Sequence, residues 1–108
     1  MGHVYLIAEV DDRGDEVFKI GITKNNPHLR VKTLQTGNPN KLSLLGSYES
    51  DNFRKIENWL HRLYASCRTE AKNEWFRLSV SQVKDFQNEC QEIDTTIEAL
   101  KEFNPFYN

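Results

Sequence analysis

The sequence predicts a small α/β (α+β) domain, with a three-stranded, mainly antiparallel sheet flanked by helices and a long C-terminal helix. Three observations lead there. Two short β-rich runs, residues 4–10 and 17–23, are joined by the polar turn Asp11-Asp12-Arg13-Gly14-Asp15, which is the pattern of a hairpin. Two later segments carry apolar residues at steps of three and four, the helical period. The chain has 108 residues, room for one modest core and hardly for a second.

Side chains alternate across a strand, so Phe18, Ile20 and Ile22 share one face of the second run while Lys19, Gly21 and Thr23 share the other. A lysine on that polar face is by default a solvated charge, but with no acid near it in sequence Lys19 is equally a candidate functional cation. Asn26-Pro27 opens a short helix, Asn as cap and Pro in the first turn, and Gly37 follows its end near Gln35. Residues 42–48 are the third strand. A second helix over residues 51–67 carries the stripe Phe53, Ile56, Leu60, Leu63, Tyr64 and Cys67, with Glu57 and His61 one turn apart beside it. After a polar loop, residues 74–78 are extended. Ser79 and Gln82 form a capping box for a last helix reaching Phe103, whose seam is Val83, Phe86, Cys90, Ile93, Ile97 and Leu100. Residues 1–78 thus make the functional core, and 79–108 an acidic helix packed on the same domain. The far end of that helix is a candidate dimer or partner contact.

Charge is unevenly placed. The net charge is −2, yet no acid stands between Glu16 and Glu49, where Lys19, Lys24, Arg30, Lys32 and Lys41 fall. Residues 1–78 balance to +2 and residues 79–108 to −4. A pI near 5.9 counts against a generic polyanion binder but allows a focused phosphate site. The apolar runs are too short to span a bilayer, and the N-terminus lacks the pattern of a secretory signal. The expectation is a cytoplasmic protein, with Cys67 and Cys90 as free thiols.

The ordered set Val4-Tyr5-Leu6, Lys19-Ile20-Gly21, Arg30 and Glu57 resembles the GIY-YIG endonuclease superfamily. Phe18-Lys19-Ile20-Gly21-Ile22-Thr23, Leu34-Gln35-Thr36-Gly37-Asn38-Pro39 and Glu74-Trp75-Phe76 resemble its phage-type T5orf172 branch, over roughly residues 3–78. The resemblance implies a metal-dependent DNA endonuclease of a phage or mobile element, hydrolysing phosphodiester bonds by direct water attack with one divalent ion. By similarity Tyr5 orients or deprotonates the water, Arg30 grips the phosphate, and Glu57 holds Mg²⁺, for which Mn²⁺ can substitute. A lone carboxylate suits Mg²⁺, which keeps several waters. A tyrosine of ordinary pKa, about 10, needs a nearby positive charge to act as a base at neutral pH. Lys19 supplies it in this reading.

The sequence departs from the family pattern at Lys19, where tyrosine is expected, and at His3, where glycine is. The usual late asparagine has Asn73 as its only candidate. His61 is a candidate proton-transfer group or a satisfied helix histidine. Glu57 has a structural alternative, an ion pair with Arg54, Arg62 or Arg68. Lys24, Lys32, Gln35, Thr36, Asn38 and Lys41 are candidate contacts to nucleic acid, duplex DNA foremost; loop stability accounts equally well for residues 36–40. Two rival functions stand beside the nuclease: a non-cleaving nucleic-acid-binding relative, and a protein-interaction or inhibitor module using the acidic helix.

Overall fold

The first strand alternates poorly because both of its faces are covered. The computed structural model describes residues 1–69 and 74–104, so the Asn73 candidate lies outside the described residues. Strand β1 (Gly2–Val10) sends Val4 and Leu6 into one apolar cluster, and Tyr5 and Ile7 into a second on the opposite face. A strand buried on both sides reads as a nearly continuous apolar run. It pairs antiparallel with β2 (Glu16–Thr23) along one edge and with β3 (Leu42–Ser50) along the other. The turn between β1 and β2 contains Gly14, and its Asp11 is gripped by Arg77 at 3.2 Å.

The sheet has four strands, not the predicted three, in the order β3-β1-β2-β4. Strand β4 is only Trp75–Phe76, pairing Phe76 with Phe18 and Trp75 with Lys19. Two residues are too few for a strand period, so only long-range pairing reveals this element. Helix α1 (Pro27–Gln35) packs Val31 and Leu34 on the Tyr5 face. Helix α2 (Phe53–Leu63) covers the other face through Phe53, Ile56 and Leu60. It ends four residues before the predicted limit, and Ala65–Cys67 tighten into a 3-10 turn.

The predicted single last helix is two: α3 (Val80–Lys84), with its Ser79–Gln82 capping box, and α4 (Phe86–Phe103). The break at Asp85 lets Phe86, Cys90, Ile93 and Ile97 enter the core beside α2, while Val80 stays exposed. Most of the seam is therefore consumed within the chain. Both cysteines are free. No helix among the described residues is long and apolar enough to cross a membrane.

Asp94 ties the acidic helix to the body. Its carboxylate accepts from Tyr48 Oη at 2.8 Å, Ser50 Oγ at 3.0 Å and Asn52 Nδ2 at 2.8 Å. Burial alone pushes this carboxyl up, but those donors and the Lys101 charge outweigh it and hold it below its ordinary value of 3.8. Folding thus favours the ionised form. The stabilisation is present above pH 3.8 and is lost as pH falls through the lower folded value. Asp94→Ala is expected to cost about 2 kcal/mol at neutral pH, as several hydrogen bonds to a charged group are lost. Urea denaturation should show the difference from wild type shrinking below pH 3.8.

Candidate active site

The candidate site lies beside the β2–β4 pairing, which among the described residues joins Phe18 and Lys19 to Phe76 and Trp75. His61 of α2 approaches β2 there, with Nε2 2.8 Å from the Ile20 carbonyl oxygen. A carbonyl only accepts, so Nε2 carries the proton and donates. The ring stands edge-on to Phe76, with centroids 5.1 Å apart. The charges of His61 on α2 and Arg30 on α1 both act on Glu74.

Tyr5 lies opposite Gly21 across the β1–β2 ladder. Its ring passes directly over that glycine: a Cβ there would stand 2.4 Å from the phenol oxygen. No side chain fits under the ring, and Gly21 is required for that reason. Tyr5 is 1% exposed. Its hydroxyl makes no hydrogen bond to a described residue, yet no buried side-chain polar atom among them lacks a partner. The hydroxyl is therefore the part of the ring that meets solvent.

Lys19 is a correction to the sequence reading. It shares the Tyr5 face, but that face is covered, and the residue is 9% exposed. Burying an ammonium requires a counter-ion. Glu74 provides it through a short ion pair with Nζ, which also stands 5.9 Å from the centroid of the Trp75 ring. The charge expected to act on Tyr5 is thus already engaged. Glu74 also feels the charges of His61 and Arg30, and the Lys19 hydrogen bond first among these causes holds its carboxyl low.

Glu57, one turn before His61, is half-buried and has no hydrogen bond or ion pair with any described residue. Of the predicted alternative partners Arg54, Arg62 and Arg68, none forms an ion pair with Glu57; the Arg54 guanidinium covers the Phe53 ring at 5.0 Å, and Arg68 covers Phe76 at 5.4 Å. Burial pushes the Glu57 carboxyl up, and Glu74 adds to this, while His61, Lys19 and Arg54 partly offset it. Lys19, Arg30, Glu57, His61 and Glu74 thus form one electrostatic cluster. A half-buried carboxylate lacking a cation fits a divalent ion. No group of three or more His, Cys, Asp or Glu among the described residues is arranged to hold one. Water and substrate phosphate would have to complete the shell, as Mg²⁺ tolerates.

The remaining candidates divide. Lys24, Lys32 and Lys41 are exposed, as is Arg30, and none forms an ion pair with a described residue. Thr36 is exposed, and its hydroxyl donates to the Lys32 carbonyl at 3.3 Å. Gln35 and Asn38 are committed inward. The Gln35 amide donates to the Asn40 carbonyl at 2.8 Å and accepts from the Leu42 amide at 2.8 Å. Asn38 and Asn40 both donate to one oxygen of Glu9, at 3.2 and 3.1 Å. The run 35–40 is a stapled turn closed by Gly37 at φ +78°. Sequence reasoning missed two carboxylates here, Glu74 and Glu9, because neither carries any local sign that a distant partner needs it.

Cations around Glu57 and Glu74 suit a nuclease-like or DNA-binding module, the class that the family match supports. The chain belongs to the T5orf172 domain family, whose model matches residues 2–91. The match extends past the motifs into the first turns of α4, so this helix is partly family architecture. No curated protein and no solved structure matches the chain.

The Tyr5–Gly21 contact makes a sharp prediction. Gly21→Ala should destabilise by about 2 kcal/mol, the usual cost of overpacking. In a Tyr5→Ala background the same change should be nearly neutral, since the ring no longer blocks the methyl. Thermal denaturation of the four proteins measures the coupling.

Proposed function

We propose that this domain is a metal-dependent DNA endonuclease. The observation that carries the reading is Glu57, a half-buried carboxylate with no hydrogen bond or ion pair to any described residue, which feels the charges of His61 and Lys19. Phosphodiester hydrolysis needs a positioned water, positive charge at the phosphoryl oxygens and help for the leaving oxygen. Glu57 would hold Mg²⁺ or Mn²⁺, which when bound supplies charge neutralisation on the phosphate and the leaving oxygen. Arg30, exposed on α1, grips a non-bridging oxygen. Tyr5 orients the attacking water through its hydroxyl, and its ring, clamped over Gly21, fixes that direction. His61 has Nε2 committed to Ile20, so Nδ1 is its available proton site.

Lys24, Lys32, Lys41 and Thr36 are exposed and would follow the DNA backbone. Gln35 and Asn38 shape the turn that presents Lys41. These exposed, uncompensated cations also support a second reading, nucleic-acid binding without turnover. Such binding would weaken steeply with salt as counterions are released.

Incubation with supercoiled plasmid and Mg²⁺ or Mn²⁺ separates the two. Wild type should nick, and Glu57→Ala should be slower by roughly 100-fold or more, the scale of a lost electrostatic contribution at a reacting centre. Duplex binding, read by fluorescence anisotropy, should survive that change and fall with Arg30→Ala. Equal nicking by wild type and Glu57→Ala rules out the endonuclease. Binding without nicking under either metal selects the second reading.

A further inference from the structure

The Lys19–Glu74 pair is asymmetric. The Lys19 side chain is 11% exposed and that of Glu74 55%. The carboxylate therefore covers the ammonium on its solvent side, and an anion arriving from solvent meets Glu74 before Lys19. We infer that Glu74 is a specificity-determining residue: its carboxylate is the resident anion of the Lys19 site, and a substrate phosphate displaces it. This rests on the nucleic-acid reading above and adds to it the residue that sets the terms of entry.

Three features support the exchange. A buried ammonium keeps an anion at nearly all times, so Lys19 changes partners and does not stand bare. Arg30, Lys19 and His61 all act on the same carboxylate, so the strongest concentration of positive charge in the cluster is occupied by a protein group. Glu57 already contributes a second negative charge to this hollow, which disfavours phosphate and the Glu74 carboxylate remaining side by side. A phosphodiester offers two non-bridging oxygens and can meet Lys19 and Arg30 together. A neutral or cationic ligand gains nothing by moving Glu74, so the pair selects for oxyanions.

The experiment uses the whole chain without divalent ion, which makes it independent of cleavage. Inorganic phosphate is titrated into wild type, and the side-chain resonances of Lys19 and Glu74 are followed by NMR. Both should move with one concentration dependence. A Glu74 resonance that stays fixed while Lys19 saturates, or a Lys19 resonance that never responds, overturns the inference. In parallel, Glu74→Gln should bind a DNA duplex about tenfold tighter, the effect of removing one competing charge worth about 1.4 kcal/mol. Lys19→Met should cancel that gain, and Glu74→Asp should stay close to wild type. Weaker or unchanged binding by a Glu74→Gln protein with a normal melting curve also overturns it. If phosphate exchanges with Glu74 but neither wild type nor any variant binds duplex, the nucleic-acid reading fails, and only the exchange of Glu74 for a small oxyanion stands. If duplex binding needs Arg30 and Lys19 yet ignores Glu74, the reverse holds.

Discussion

Everything at this site follows from a sheet sandwiched on both faces. Covering the Tyr5 side with α1 and Trp75 encloses an ammonium at Lys19, and an enclosed ammonium must have a carboxylate. That carboxylate, Glu74, comes from 55 positions away, immediately before β4.

The second constraint is steric. Tyr5 and Gly21 face one another on neighbouring strands, and the ring occupies the space a side chain at 21 would take. Glycine here has nothing to do with backbone conformation, since positive φ occurs only at Gly14 and Gly37 among the described glycines. The aromatic and the glycine form one unit that fixes the direction of the ring. Loop 35–40 is built on the same economy, with Gln35, Asn38 and Asn40 satisfying one another and the buried Glu9. These hydrogen bonds hold the end of α1 and the start of β3 together.

The acidic helix α4 is first of all part of the fold. Its apolar seam fills the core against α2, and Asp94 accepts three hydrogen bonds from β3 and Asn52. The family match extending to residue 91 agrees with that role. Its outward acids, Glu92, Glu98 and Glu102, remain exposed.

The sequence by itself determined the hairpin, the capped α1, the apolar stripe of α2 and the seam of α4, because these depend on periods and caps spanning a few neighbours. It also nominated Tyr5, Lys19, Arg30 and Glu57 as candidates through resemblance to a motif order. Tertiary structure alone decided the fourth strand, the break at Asp85, the burial of Lys19 and the partnership with Glu74. A two-residue strand has no period, and a buried charge looks like a solvated one until the covering layer is known. Whether a cation is free to meet substrate or is already held by a carboxylate depends on residues that only folding brings together.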